Sequence, residues 1–260
     1  MNAAPHVLVT GGAGVIGQAT ARTFVAQTPG ARITLADIDG PGATRAADAI
    51  GADATGVVWD LSRPETLPTS VAELEAQRGH VDVLINCAGI MEIRSLVATD
   101  WALAERLLAI DLWSPLRLMS LLAPGMQSRR HGTIVNVSSM AGVTPLRGCV
   151  YYGAAKAGLA MASEIARIEL APYDVRVVTV YPGPVHSPLE ARARAQAPVS
   201  LLSRWLPTGD ANQLAARITR ACERNEARVV YPAIYTVASR LPVLAGMLTR
   251  AVSPVPLDRA

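Results

Sequence analysis

The fold is decided by residues 7–17, which read Val7-Leu8-Val9-Thr10-Gly11-Gly12-Ala13-Gly14-Val15-Ile16-Gly17. A short apolar strand leads directly into this glycine-rich turn, and a helical pattern begins at Gln18. Glycines at positions 11, 14 and 17 permit a tight turn, a close approach of a pyrophosphate to backbone N–H groups, and close packing of the helix on the strand. With a strand before it and a helix after it, the turn predicts a dinucleotide-binding site. A glycine-rich turn without a ligand is the alternative interpretation.

Outward from this turn, short apolar runs alternate with longer segments rich in Ala, Leu, Glu and Arg. Strands joined by crossovers of this length are parallel, and near-continuous Val, Ile and Leu runs suit a sheet that is covered on both faces. We therefore expect an α/β fold of the Rossmann type, a doubly wound parallel sheet of about seven strands with helices on both faces. The predicted strands are residues 7–9, 33–36, 56–59, 81–85, 133–137, 175–180 and 228–231.

Composition limits the class of protein. Of the 260 residues, 50% are apolar and 17% are charged, which excludes a long disordered chain and favours one compact domain over residues 1–260. The formal net charge is +3 and no basic run is longer than Arg129-Arg130, so nucleic acid is not an expected partner.

The cysteines and histidines do not form a recognisable metal site. Cys87, Cys149 and Cys222 lie far apart, and the four histidines are dispersed, so we expect no metal, no disulfide framework, and histidines in loops or on the surface. The N-terminal residues do not resemble a signal peptide, and no uninterrupted apolar run reaches the length of a membrane span. A cytoplasmic location is therefore expected.

The choice of dinucleotide depends on Asp37, which follows the second predicted strand about 20 residues after Gly17. A carboxylate at this place accepts hydrogen bonds from the adenosine ribose hydroxyls and repels a 2′-phosphate. Because no Arg lies in the glycine turn or directly after Asp37, we expect NAD as cofactor, with NADP less favoured. A purely capping role for Asp37 and competition from Asp39 are the alternatives.

A second motif, Tyr152-Gly153-Ala154-Ala155-Lys156, opens another helical segment. The spacing places Tyr152 and Lys156 on one helix face. A phenol with its ordinary pKa near 10 is a poor base at neutral pH, but a neighbouring ammonium favours the phenolate, so we predict that Lys156 lowers the pKa of Tyr152. Lys156 is the single lysine of a chain that otherwise uses Arg, which suggests a site where a guanidinium does not serve. Tyr151, one residue out of phase, is the competing tyrosine.

Together these motifs resemble the short-chain dehydrogenase/reductase family over residues 7–189. Asn86-Cys87-Ala88-Gly89 looks like the Asn-Asn-Ala-Gly of that family, Val137-Ser138-Ser139 like its serine segment, and Tyr181-Pro182-Gly183 like its turn after the sixth strand. The resemblance implies hydride transfer between NAD and a carbinol carbon.

The same resemblance implies a role for each catalytic residue. Ser139 would orient the substrate oxygen, Tyr152 would exchange the hydroxyl proton, and Lys156 would also bind the nicotinamide ribose. The implied cofactor contacts are Thr10, Gly11, Gly14, Val15, Ile16, Gly17, Asp37, Ile38, Asp60, Leu61, Asn86, Ala88, Gly89, Tyr152, Lys156, Pro182, Gly183, Val185 and Ser187. Within this set, Asp60 and Leu61 would pack around the adenine, and Ser187 stands where the family usually has a Thr that contacts the nicotinamide carboxamide.

Three residues depart from the family pattern. Val15 stands where the classical branch has its middle glycine, whereas Gly14 gives the spacing of the extended branch, which includes epimerases acting on sugar nucleotides. Cys87 replaces an Asn that braces the central strands. Asp111 occupies the catalytic Asn position. If that position acts through its main-chain carbonyl, Asp can substitute; if the carboxylate pairs with Lys156, it weakens the proton relay.

The substrate is expected to be lipophilic. The loops that would line the pocket, residues 91–96, 140–146, 181–185 and 189–207, carry mostly apolar residues, among them Val143, Pro145, Leu146, Leu201, Leu202, Trp205 and Leu206. We therefore expect a secondary alcohol or ketone of the steroid, retinoid or long-chain type, and we treat residues 187–208 as a substrate-loop insertion. The alternatives are an extended-type epimerase or dehydratase acting on a nucleotide sugar, and a noncatalytic NAD-sensing protein.

Two further segments suggest partners. The Ala-rich residues 154–166 resemble a helix that pairs between subunits in this family, which implies a homodimer or homotetramer. Residues 232–260 form an apolar tail interrupted by Arg240, Pro242 and Arg250. The tail suits packing within the molecule or between subunits, peripheral contact with a membrane, or disorder.

Overall fold

The computed structural model describes residues 4–51, 53–196, 207–241 and 246–247. Its strands are β1 His6–Thr10, β2 Arg32–Asp37, β3 Asp53–Val58, β4 Val83–Asn86, β5 Gly132–Val137, β6 Val175–Pro182 and β7 Arg228–Tyr231. They form one sheet in the order β3-β2-β1-β4-β5-β6-β7, with every neighbouring pair parallel. The predicted doubly wound sheet is confirmed.

Helices cover both faces of this sheet. They are α1 Val15–Gln27, α2 Gly40–Ile50, α3 Leu67–Arg78, α4 Trp101–Leu108, α5 Ser114–Arg129, α6 Val150–Leu170, α7 Pro188–Gln196, α8 Ala211–Arg224 and α9 Tyr235–Arg240. One apolar core lies between the sheet and α1, α2 and α8, and the other lies between the sheet and α3, α5 and the end of α6. Because both faces are covered, the central strands β1, β4 and β5 are buried along their whole length.

The strand order reverses between β1 and β4. β2 and β3 continue from β1 toward one edge, and β4 begins the series toward the other edge. In such a sheet the loops after the two central strands diverge, and the crevice between them is the usual ligand site. The glycine turn after β1 and residues 86–89 at the end of β4 therefore form the two sides of one crevice.

Details of the strands and one histidine differ from expectation. β3 ends at Val58, and Trp59 turns inward to become buried in the second core. β4 begins at Val83, two residues later than predicted, although Asp82 still bonds through its backbone to the neighbouring strands. His6, expected in a loop or on the surface, lies fully buried in β1.

α4 and α5 are continuous through a π-helical turn, Ala109–Trp113. By length and composition, the resulting helix Trp101–Arg129 would suffice to cross a membrane, but half of its most apolar window is buried inside the fold. Leu118, Leu122 and Met126 belong to the second core. The apolar character of this helix is thus explained by its packing on the sheet.

The described part of the C-terminal region turns back toward the carboxyl edge of the sheet. The Tyr235 ring lies against Gly183, and its hydroxyl donates to the Pro207 carbonyl at 3.2 Å. Gly246 lies against Pro145 of the predicted pocket loop 140–146. The predicted pocket residues Leu201, Leu202, Trp205 and Leu206, and residues 242–245 and 248–260 of the predicted tail, lie outside the described residues.

Candidate active site

The glycine turn is built by contacts that exclude side chains. Gly11 has a positive φ of 69°, and a Cβ there would come within 2.8 Å of the Ala88 backbone. A Cβ on Gly17 would collide with the Gly11 carbonyl oxygen. Gly12, which the sequence analysis did not single out, faces the Leu35 side chain, where a Cβ would lie 2.5 Å from the Leu35 Cβ. The spacing of the other three glycines is typical of a dinucleotide-binding turn. The role of Gly12 depends on a tertiary contact with β2, which the spacing does not indicate.

The turn ends at a helix whose first turn has no side-chain cap. α1 begins at Val15, earlier than the helical pattern suggested, and its N-cap is Gly14, which has no side chain to offer. Beyond the 3.1 Å approach to the Gly11 oxygen, a Cβ on Gly14 would meet open space. Uncapped N–H groups and the helix dipole favour an anion here, so the residues present fit a dinucleotide pyrophosphate.

Asp37 lies beside this turn at the end of β2. Its carboxylate accepts hydrogen bonds from the N–H of Ala13 at 2.9 Å and from the N–H of Asp39 at 3.0 Å. The side chain of Asp39 instead accepts from the Gly42 N–H at 2.9 Å and caps α2. Of the two candidates, Asp37 is thus the one in contact with the glycine turn, and exposed Ile38 lies next to it.

Two residues of the predicted cofactor set turn their side chains inward. The buried hydroxyl of Thr10 accepts the N–H groups of Cys87 at 3.1 Å and Ala88 at 3.3 Å, so it ties β1 to the turn after β4. The Nδ2 of Asn86 donates to Asn136 Oδ1 at 2.8 Å. These side chains therefore hold the sheet together, and any contact with a cofactor is left to their backbones.

The central strands keep a polar brace despite Cys87. From Asn86 the chain of hydrogen bonds continues through Asn136, whose Nδ2 donates to Ser163 Oγ at 2.8 Å. The buried side chains of Asn86, Asn136 and Ser163 thus connect β4, β5 and α6. Burial also raises the pKa of the Cys87 thiol to about 12, so this side chain stays neutral.

Tyr152 and Lys156 meet in the first two turns of α6, and both are buried. Lys156 Nζ lies 5.9 Å from the centre of the Tyr152 ring and donates to the Val137 carbonyl at 3.1 Å. Ser139 follows β5, where its Oγ accepts the Ala141 N–H at 3.1 Å and caps a short 3₁₀ turn. The competing Tyr151 is turned toward Trp101, with ring centres 6.5 Å apart and an edge-to-face orientation.

Asp111 joins this group from the π-helical turn. It is fully buried, and its Oδ1 lies 3.0 Å from Lys156 Nζ. Of the two alternatives for this position, the carboxylate pairing with Lys156 is the arrangement that the structure contains. The main-chain carbonyl also lacks its ordinary helical donor, because Pro115 four residues later has no N–H.

Gly89 makes the ion pair sterically feasible. A Cβ at this position would lie 2.6 Å from Asp111 Oδ1 and 3.2 Å from Lys156 Nζ. The turn after β4 therefore borders both the glycine turn, through Ala88, and the charged pair, through Gly89. The two predicted functional regions are thus contiguous.

Lys156 acts to lower the pKa of Tyr152, as predicted, but other influences outweigh it and the net pKa is raised. Burial is the largest cause, and the charge of Asp111 adds to it, while Lys156 and a hydrogen bond with Ser139 act in the opposite direction. Burial alone would lower the pKa of Lys156, but Asp111 and Tyr152 raise it, so the ammonium form is retained. Burial raises the pKa of Asp111 against the attraction of Lys156.

The remaining predicted cofactor residues lie at the same carboxyl edge, but several are already engaged. Asp60 Oδ1 accepts from the Ser62 N–H at 2.9 Å and the Ser62 hydroxyl at 2.6 Å, and this hydrogen bonding lowers the pKa of Asp60. Leu61 is buried in the second core. Ser187 Oγ accepts the Glu190 N–H at 3.2 Å at the start of α7.

The last part of the predicted set follows β6. Pro182 is the final residue of the strand, and Gly183 supports the Tyr235 ring. Val185 is buried and pairs with Gly209 in an isolated parallel bridge. This segment is therefore fixed to the chain that leads into α8.

Apolar side chains surround the phenol of Tyr152. Ala141, Cys149 and Tyr152 form one buried cluster, against which Met91 and Ile93 pack. Burial raises the pKa of the Cys149 thiol to about 11, so this side chain also stays neutral. Residues 91–96 and 140–146 are predicted pocket loops, whereas the place of Cys149 beside them was not predictable, because a lone cysteine carries no signal of its own.

Comparisons with known proteins agree with this geometry. Residues 5–198 match the family model described as short chain dehydrogenase. The 3-oxoacyl-[acyl-carrier-protein] reductase FabG of Escherichia coli (strain K12) is 31% identical over 176 residues, which are 68% of this chain and 71% of that protein. A short-chain dehydrogenase structure from Streptomyces avermitilis has a TM-score of 0.81 at 26% identity and covers 96% of both chains. A short-chain dehydrogenase from Sphingobium yanoikuyae in complex with NADPH has a TM-score of 0.78 at 26% identity and covers 98% of both chains.

Proposed function

The chain belongs to the short-chain dehydrogenase/reductase family of oxidoreductases, which act on CH–OH and carbonyl groups, and from this premise we propose that it interconverts a lipophilic secondary alcohol and its ketone with NAD. The observation that carries the proposal is the group formed by half-buried Ser139 and the buried Tyr152 and Lys156 at the carboxyl edge, next to the glycine turn. A nicotinamide dinucleotide, when bound, supplies or accepts the hydride.

The residues of the chain then have distinct tasks. The uncapped start of α1 holds the pyrophosphate, and Asp37 holds the adenosine ribose. Ser139 orients the substrate oxygen by a hydrogen bond, and Tyr152 exchanges a proton with that oxygen. The ammonium of Lys156 holds the nicotinamide ribose and interacts electrostatically with the phenol.

The preference for NAD rests on Asp37. The relative from Sphingobium yanoikuyae binds NADPH, so membership of the family does not by itself select the cofactor. A 2′-phosphate next to the carboxylate of Asp37 would meet a like charge, whereas free ribose hydroxyls would meet an acceptor. This asymmetry supports NAD.

The lipophilic substrate class is supported by the surroundings of Tyr152. Met91, Ile93, Ala141 and Cys149 offer apolar surface near the phenol. An apolar wall gains free energy from burying hydrocarbon and offers no hydrogen bonds to the hydroxyls of a sugar. We propose a steroid, retinoid or long-chain carbonyl compound over a polyol.

Two further proposals concern the setting of the enzyme. Its three cysteines are free thiols, which suits a reducing cytoplasm. Exposed apolar residues on α6 and α9 suit a homodimer or homotetramer, and peripheral membrane contact through the tail is the alternative use of the α9 surface.

A substrate panel followed by the absorbance of reduced nicotinamide tests the function. The panel should contain steroid, retinoid and long-chain secondary alcohols and ketones, a 3-oxoacyl thioester, and polyols, each with both cofactors. We expect turnover with apolar members and NAD, and its loss in Tyr152→Phe. Turnover confined to polyols would contradict the substrate class, and tight NAD binding without turnover on the whole panel would favour the noncatalytic alternative.

A further inference from the structure

The site contains one negative charge that is buried beside its positive charge. Asp111 and Lys156 come from different elements, the π-helical turn and α6, and neither is exposed to bulk solvent. At 3.0 Å between Oδ1 and Nζ, and with little water to screen them, the two charges interact strongly.

The surrounding backbone fixes where the carboxylate points. Oδ2 accepts a long hydrogen bond of 3.4 Å from the Ile90 N–H, and the space on the other side is kept open by Gly89. Within the described residues, Oδ1 has no hydrogen-bond partner in good alignment, so the ammonium is its principal electrostatic contact. A turn of π-helix at this point gives Asp111 a different direction from a regular helical residue.

The same ammonium acts on Tyr152. Seen alone, a cation 5.9 Å from the ring favours the phenolate. With a carboxylate beside it, the cation becomes one end of a dipole, and its field at the phenol is reduced.

No other group that faces the phenol and the ammonium within the described residues changes charge near neutral pH. The titratable neighbours are the thiols of Cys149, at the start of α6, and Cys87, in the turn after β4, and the pKa values of both lie far above neutrality at about 11 and 12. Ser139 is neutral. Besides burial and the Ser139 hydrogen bond, the balance between phenol and phenolate therefore depends on the charges of Lys156 and Asp111.

We infer that Asp111 is a positioning residue that offsets the charge of Lys156 and keeps Tyr152 protonated at neutral pH, so that the site is set for carbonyl reduction. In reduction, the O–H bond of Tyr152 breaks and its proton goes to the substrate oxygen, while the hydride that completes the alcohol comes from the reduced nicotinamide. The phenolate left behind is reprotonated from solvent. Alcohol oxidation needs the phenolate from the start, and it is therefore favoured only at alkaline pH. The directional part of this inference rests on the proposed function.

Titration of the protein without cofactor tests the electrostatic part independently of turnover. The ultraviolet absorbance of tyrosinate is followed against pH for the wild type and for Asp111→Asn, each with and without Tyr152→Phe, and the difference isolates Tyr152 from the other tyrosines. We expect Asp111→Asn to lower the midpoint of Tyr152 by about one pH unit or more, a tenfold change in the ionisation equilibrium. Asp174→Asn, which removes an exposed partner of Arg130, is the control and should leave the midpoint unchanged. An unchanged or higher midpoint in Asp111→Asn would overturn the inference.

The pH profile of turnover then tests the consequence for direction. In Asp111→Asn the acid limb of alcohol oxidation should move to lower pH by the same interval as the tyrosinate midpoint, so oxidation at neutral pH increases. Loss of both directions without a shift in the midpoint would mean that the carboxylate itself transfers a proton, which contradicts a positioning role. If the wild type turns over no member of the panel, the proposed function fails, and the titration still decides whether Asp111 controls Tyr152.

Discussion

Asp37 shows how one side chain serves both local structure and selectivity. Its carboxylate fixes the glycine turn through the Ala13 N–H, and the same charge lies where a cofactor phosphate group would be placed in NADP. Asp39, two residues later, instead caps the N-terminus of α2. Asp37 and Asp39 therefore allow a test of cofactor selectivity and its matched control within one loop.

Replacing Asp37 with Ser is expected to narrow the difference between the dissociation constants for NADH and NADPH, because the like-charge repulsion disappears. Fluorescence titration with both cofactors measures the ratio of the two dissociation constants. Asp39→Ala should leave the ratio unchanged and reduce the free energy of unfolding by about 1 kcal/mol through loss of the helix cap. Equal affinity of the wild type for both cofactors would contradict the role of Asp37.

The two adjacent tyrosines provide a second test at the scale of the residue. Tyr152→Phe should lower kcat by a factor of about 10² to 10⁴ and leave NADH affinity nearly unchanged, because it removes the proton donor but keeps the ring. Tyr151→Phe should have a mild effect, since that ring packs against Trp101 away from Lys156. Steady-state kinetics and cofactor titration on both variants decide the assignment, and the reverse ranking would refute it.

At the scale of the element, β1 contains a buried histidine that was expected in a loop or on the surface. His6 Nδ1 lies 3.0 Å from the Gly79 carbonyl, so it donates, and Nε2 lies 2.9 Å from Thr34 Oγ1, so it accepts. This neutral arrangement uses both ring nitrogens. Burial lowers the pKa of His6 below its ordinary value of 6.5.

Because the pKa of His6 is lower in the native state than in the unfolded chain, the unfolded chain takes up a proton first as the pH falls. The contribution of neutral His6 to the free energy of unfolding is therefore fully present above about pH 6.5. It decreases as the pH falls from there toward the lower native pKa. Urea unfolding, measured about every half pH unit from pH 8 to pH 5, should show that the free energy of unfolding declines. This decline should be smaller in His6→Gln. Exposed His131→Gln is the control, and the same pH dependence in wild type and His6→Gln would contradict the assignment.

The elements were predictable from sequence where the signal is local. The glycine spacing, the apolar strand runs and the Tyr152–Lys156 interval each lie within a few residues, and the sheet and the meeting of Tyr152 with Lys156 follow from them. The inward turn of Thr10 and Asn86, the fit of Gly12 on Leu35, and the distance from Asp111 to Lys156 depend on residues far apart in the chain. Such contacts arise from packing between elements, which no local pattern records.

At the scale of the whole molecule, α6 has two opposite faces with different tasks. Its inner face carries Tyr152 and Lys156, whereas Met161, Ile165 and Ile168 on the outer face are exposed by 63%, 48% and 76%. Apolar residues at this spacing form a stripe along the helix. A stripe of this kind suits contact with a second copy of the chain.

We therefore expect Met161→Glu to shift the chain from a dimer or tetramer toward the monomer, because a carboxylate buried at the interface loses its hydration. Sedimentation velocity at several concentrations measures the distribution. The control is Arg220→Glu on the exposed face of α8, on the other side of the sheet. This variant should leave the distribution of oligomers unchanged. A wild type that is already monomeric at micromolar concentration would contradict this use of the α6 face.

The brace from Asn86 through Asn136 to Ser163 has a consequence for hydrogen exchange. It joins β4 and β5 to α6, the helix that carries Tyr152 and Lys156, and all three side chains are buried. Local opening of α6 would leave buried amide and hydroxyl groups without partners, which is costly. The amides of the middle of α6 should therefore exchange with solvent only when the entire sheet opens, so that the acid–base groups keep their spacing through every smaller fluctuation of the native state.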